Sequence, residues 1–129
     1  MISDGRGNFR AHWAAGRLYI QMIAVNKKID KDILEKAHAH LVEANKINPI
    51  NPLPYYDMVQ VLLFQKDVKG ALSWSRASIA LAPEYRGGYV LANSIIKSNA
   101  VNREYIKYVS TMKERWCKED SLCGKGKWK

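Results

Sequence analysis

Residues 48–56 read NPINPLPYY, and residues 82–89 read APEYRGGY. Pro49 and Pro83 are 34 positions apart, and so are Tyr55 and Tyr89. Each stretch closes an apolar pattern of helical period with a proline and reopens it with a tyrosine. Proline removes an amide donor and pushes the residue before it out of the helical region, so it ends a helix cleanly. Just inside a new helix it is tolerated, because first-turn amides have no intrahelical partner. The same punctuation at a fixed interval indicates that the chain counts in units.

Shifting the sequence by 34 extends the match outward. Ala37 falls on Ala71, Ala44 on Ser78, Ile47 on Leu81 and Leu62 on Ile96. Small residues meet small, and large apolar residues meet large. A small residue on one helix lets a neighbouring helix approach closely, so the repeating unit reads as a packed helix pair. No alternating strand pattern of useful length appears anywhere.

Six helices are expected on this reading. The first runs from about Asn8 to Ala24 or Val25, with Trp13, Leu18, Tyr19 and Met22 among its apolar members. The second opens on Asp32-Ile33-Leu34-Glu35, an acid-x-x-Glu capping box, and steps through Leu34, Ala37, Leu41 and Ala44. Asn51 and Pro52 start the third, striped by Tyr55, Met58, Val59, Leu62 and Leu63. Asp67 caps the fourth, which carries Ala71, Trp74, Ser78 and Leu81. The fifth spans Tyr85 to Lys97, weakened by Gly87 and Gly88. Asn102 caps the sixth, with Tyr105, Val109 and Met112. Residues 1–8 then form an N-terminal extension, 9–116 a helical repeat domain and 117–129 a basic tail.

The unit resembles the tetratricopeptide repeat, whose first helix has an aromatic residue, a leucine-small pair and a tyrosine, followed by alanine and proline on the second. Tyr55-x2-Met58-Val59-x2-Leu62 with Ala71 and Pro83 follows that pattern, and Tyr89-x2-Ala92-Asn93-x2-Ile96 opens a further unit. The first unit offers Trp13-x2-Gly16-x2-Tyr19, one residue short, then Ala37, Leu41, Ala44 and Pro49. Two departures stand out. Ser75 occupies a position where a large apolar residue is usual, and the last helix lacks both alanine and proline, as a stack-ending helix does. The resemblance implies an all-α, right-handed α-solenoid of antiparallel helix pairs.

It also implies a concave face built from the first helix of each pair, which takes an extended peptide or a partner helix. Carried over position by position, that face comprises Leu53, Tyr56, Gln60, Leu63 and Phe64, then Val90, Ser94 and Lys97. In the first unit Arg10, Trp13, Arg17 and Gln21 share a face at helical spacing. The expected groove is therefore Trp13, Arg17, Gln21, Tyr56, Gln60, Phe64, Val90, Ser94 and Lys97. Trp13 and Phe64 read equally well as core, whereas Tyr56 is the better groove residue. Family members that clamp a terminal carboxylate use several lysines and asparagines; here only Lys97 and Asn93 match, so that clamp is incomplete.

The chain has 129 residues, 47% hydrophobic and 26% charged, which suffices for a real core without cross-links. It lacks an apolar run long enough to span a bilayer and a secretory signal. A whole chain of this kind belongs in the cytoplasm; as a piece of a bacterial envelope or polysaccharide-assembly protein it belongs in the periplasm. Cys117 and Cys123 form neither a zinc nor a redox motif and read as free thiols, with a small local disulfide the alternative in an exported domain.

The formal net charge of +9 favours acidic partners. From Lys97 onward nine lysines and arginines face four acids. Lys125, Lys127, Trp128 and Lys129 interleave cations with an aromatic ring, the alternative reading being nucleic-acid or anionic-surface binding.

Catalytic patterns are missing from the sequence. There is no H-E-x-x-H, no G-x-S-x-G and no complete phosphate loop. His38 and His40 lie two apart, on different faces of one helix, and with His12 read as surface or half-buried residues rather than metal ligands. Asp32, Asp67 and Glu84 stand near helix starts, where capping accounts for them. The sequence therefore predicts a non-enzymatic interaction scaffold without cofactor, whose partner is a protein or peptide with an acidic segment.

Overall fold

The computed structural model describes residues 5–99 and 101–116, with side chains from Asn8 onward. Among these residues it is all-helical, with six helices and no strand: α1 (Gly5–Asn26), α2 (Lys31–Ile47), α3 (Leu53–Phe64), α4 (Val68–Leu81), α5 (Arg86–Ser98) and α6 (Arg103–Trp116). None of them is long and apolar enough to cross a membrane. The chain forms two compact units, Met1–Ala71 and Leu72–Lys129, where the sequence suggests one repeat domain over 9–116. The division falls within α4.

In the first unit, α1 and α2 lie along each other and α3 packs on both. The core consists of Phe9, Ile20 and Ile23 from α1, Leu34, Ala37, Leu41 and Ala44 from α2, and Met58, Val59, Val61 and Leu62 from α3. Burying each large aliphatic side chain contributes about 1.5–3 kcal/mol. Gly16 of α1 is what allows α2 so close: a Cβ there would lie 2.7 Å from Leu41 Cγ and Cδ2. The small position of the repeat pattern thus seats a large residue of the paired helix.

The core face of α1 differs from the expected one. Leu18 and Met22 are exposed at 56% and 37%, while Ile20 and Ile23 are buried. Helix α1 is apolar on two sides, and α2 selects the side carrying Gly16. It also begins at Gly5, so residues 5–8 belong to the helix rather than to an extension.

In the second unit, Leu72, Ser75, Ser78 and Ile79 of α4, Tyr89, Ala92 and Ile95 of α5, and Tyr105 and Val109 of α6 are buried. Helices α5 and α6 pack together. Ser75, where a large residue was expected, accounts for itself here. Its Oγ is 2.7 Å from the Tyr105 hydroxyl, and both groups are buried. Tyr105 stands 34 positions after Ala71, at the repeat's alanine position. A large residue has replaced a small one in α6, and a small one has replaced a large one in α4.

The helix ends follow the polar residues, with three corrections. Asp67 Oδ1 accepts the Gly70 amide at 2.9 Å, and Asn102 Oδ1 accepts that of Tyr105 at 2.7 Å, as expected. Helix α2, however, is capped by Asp30, whose carboxylate accepts the amides of Asp32 and Ile33. Extended backbone at Asp30 aims its side chain into the first turn, which leaves Asp32 inside the helix. Helix α3 begins at Leu53, with Asn51 Oδ1 accepting the Leu53 amide at 2.9 Å from just outside. Glu84 does not cap α5; Tyr85 holds that position, with no side-chain cap bond.

The repeat extends to individual hydrogen bonds. Asn48 N–H donates to Ala44 O and Ala82 N–H to Ser78 O, both at 3.0 Å. Asn51 N–H reaches Asn48 O, and Tyr85 N–H reaches Ala82 O. The Tyr55 hydroxyl donates to Pro49 O at 2.9 Å, and that of Tyr89 donates to Pro83 O. All three pairs are related by a shift of 34. Proline leaves a carbonyl beyond the helix end, and a tyrosine one turn into the next helix satisfies it.

Candidate functional site

Trp13 and Arg17 are one helical turn apart on α1, and both meet Asp57 of α3. Trp13 Nε1 donates to Asp57 Oδ2 at 2.7 Å. Arg17 Nε lies 3.6 Å from the same oxygen, and its guanidinium carbon is 5.6 Å from the centroid of the Trp13 ring. On the other side Phe9 packs against Trp13, with ring centroids 5.8 Å apart. Phe9, Trp13 and Arg17 therefore run down one face of α1, grading from buried aromatic to exposed cation.

Burial decides the electrostatics of this cluster. The Asp57 side chain is only 14% exposed, whereas that of Arg17 is 55% exposed. Loss of hydration raises the Asp57 carboxyl above its ordinary value; the Trp13 hydrogen bond and the Arg17 charge oppose that shift without cancelling it. The carboxylate spends its nearest acceptor oxygen on Trp13 and Arg17 Nε. Arg17, more than half exposed, keeps donors for a second acidic group, and its planar fork suits a carboxylate.

Asp57 is the residue that the expected groove omitted. The resemblance assigns Tyr56 and Gln60 to the groove and passes over the position between them. A signal was nevertheless present: Asp57 is the single charged residue in α3, LPYYDMVQVLLF. A lone carboxylate in an apolar helix needs a partner from another element.

The other expected positions fall in three places. Gln21 and Gln60 are exposed and Tyr56 is half-buried. Phe64 is half-buried and borders a cleft of about 340 Å³ beside α2, together with Ile29, Leu34, Lys31, Glu35 and Lys66. In the second unit Val90, Ser94 and Lys97 are all exposed, at spacings that share one face of α5. Asn93 instead lines a hollow of about 100 Å³ between α5 and α6, with Tyr89, Ile106 and Lys113. Lys97 does not line it, so the incomplete clamp pair is also divided. Lys125, Lys127, Trp128 and Lys129, like Cys117 and Cys123, lie outside the described residues.

Comparisons of the chain with protein-family models, curated proteins and solved structures gave no significant match. What the chain can do chemically therefore rests on its own residues. Among the described ones, no three histidine, cysteine or acidic side chains gather in a metal-binding group.

Proposed function

We propose that this protein is a non-enzymatic binding scaffold, a tetratricopeptide-like right-handed solenoid whose first-of-pair helices α1, α3 and α5 take an acidic peptide or helix. The observation that supports this reading is the hydrogen-bonded turn reproduced at a shift of 34, which gives the α2–α3 and α4–α5 joints the same local geometry, as a repeating helix-pair unit requires. In helix-pair arrays of this kind the first helices of successive pairs line one binding face. The Trp13–Arg17–Asp57 cluster joins two of those first helices and combines an aromatic ring with an exposed arginine, the residue types that dominate binding energy at interfaces. Lys97 and the net charge of +9 add attraction for acidic segments.

The test is an array of acidic, neutral and basic peptides probed with the full chain. Acidic peptides should bind best, and Arg17→Ala or a Tyr56→Ala/Lys97→Ala pair should weaken them at least tenfold. Binding indifferent to peptide charge would overturn the reading. If RNA binds instead, with steep salt dependence abolished by deleting residues 118–129, the basic tail is the functional element.

A further inference from the structure

The histidines that looked unrelated along the chain meet across the α1–α2 pair. His12 Nδ1 and His40 Nδ1 are 3.0 Å apart, with ring centroids at 5.2 Å. The Tyr19 ring stacks on His40 at 5.9 Å, holding that imidazole from the side. All three side chains are half-buried, so each ring is held by packing and remains reachable from solvent. Without another ligand the two nitrogens share one N–H···N hydrogen bond, one ring donating and the other accepting.

We propose that His12 and His40 are the two protein ligands of a divalent transition-metal site that staples α1 to α2, with copper(II) and nickel(II) preferred. Metal–imidazole bonds of about 2.05 Å place two nitrogens about 2.9 Å apart at a right-angle bite and about 3.3 Å apart at a tetrahedral one. The observed 3.0 Å lies within the span of these bites, and the preference for copper(II) and nickel(II) follows the general affinity series of divalent ions for nitrogen ligands. With the ring centroids 5.2 Å apart the two nitrogens face each other almost head-on, so each ring turns by roughly 35–45° to aim its Nδ1 lone pair at a common ion. The ring that donated its Nδ1 proton carries it on Nε2 instead, so two neutral imidazoles bind the ion with no net proton release. No third histidine, cysteine or acidic ligand stands within reach among the described residues, so water completes the coordination. The site is therefore open and exchangeable, unlike the closed set of a structural zinc.

Nickel(II) and copper(II) titrations of the full chain test this, in a Cys117→Ser/Cys123→Ser background that removes competing thiols. One equivalent should bind, with the affinity order copper, nickel, zinc, and the melting temperature should rise with metal. His12→Ala and His40→Ala should each weaken binding at least tenfold and abolish the thermal shift; His38→Ala, two residues away on α2, should do neither. His12→Gln and His40→Gln, checked by circular dichroism for wild-type helix content, separate loss of the ligand from loss of the fold. The electron-spin spectrum of bound copper should show two imidazole nitrogens in the wild type and one in either variant. Binding that survives both substitutions, or no stoichiometric binding by the wild type, would overturn the proposal and leave the pair a hydrogen bond only.

Discussion

The turn at residues 48–55 and the turn at 82–89 share their prolines, their backbone hydrogen bonds and their tyrosine-to-proline-carbonyl bond, yet they do not share their burial. Tyr89 is fully buried, while Tyr55 remains half-buried. The hydrogen-bonded frame is local, fixed by proline and by a donor six residues on. Burial of the ring is not local, because it depends on what packs beyond the turn. A repeat can therefore copy its punctuation faithfully while each copy carries a different share of the core.

The largest effect should come from removing the tyrosine on each side of this comparison. Tyr89→Ala should cost roughly 3–5 kcal/mol, as large aromatic-to-alanine changes in cores do, and Tyr55→Ala clearly less. Denaturant melts of the two variants check this, and equal losses would mean that both rings are core. Next is the exchange of sizes between Ser75 and Tyr105. Ser75→Leu should cost about 1–3 kcal/mol by overpacking and by stripping the Tyr105 hydroxyl of its partner. Adding Tyr105→Ala should recover part of that loss, and a double-mutant cycle measures the coupling.

A third test uses alkali. Burial, together with the neighbouring Tyr108, pushes the Tyr89 hydroxyl from 10.0 up to about 12. Burial likewise raises Tyr105, against the lowering effect of its Ser75 hydrogen bond. Below pH 10 both folded and unfolded chains keep these protons. Above it the unfolded chain releases its own first, so stability falls as pH rises toward 12. Tyr89→Phe should flatten that decline in a pH series of melts.

The smallest effect concerns Lys66, a non-glycine residue at φ 63°. Lys66→Gly should raise stability by up to about 1 kcal/mol by relieving left-handed strain, less the greater freedom glycine gives the unfolded chain. Lys66→Val should lower it.

The six helices were legible because proline and capping side chains act over a few positions. Asp67 and Asn102 cap where their sequence context says they do. The inward side of α1 was not legible. Leu18 and Met22 compete with Ile20 and Ile23, and only the approach of Leu41 to Gly16 decides between them. The candidate site was half legible: Trp13 and Arg17 share a face by spacing alone. Their meeting with Asp57, 44 positions after Trp13, depends on how α3 is set against α1. The His12–His40 contact was hidden for the same reason, since spacing within one helix can compare His40 only with His38.

Between α3 and α4 the chain has no residue to spare. Lys66 N–H closes on Leu63 O and Asp67 N–H on Leu62 O, and Asp67 is at once the residue that opens α4. The connection between α1 and α2 has four residues, 27–30, of which only the last is a cap. These two joints differ as places for evolution or engineering to lengthen the chain. A graft after Lys28 leaves the Asp30 cap intact and adds only a slowly growing loop entropy. A single residue inserted between Lys66 and Asp67 separates the closing bonds from the opening one, and one helix end must give way. Loop grafts and tags on this scaffold belong at the first joint.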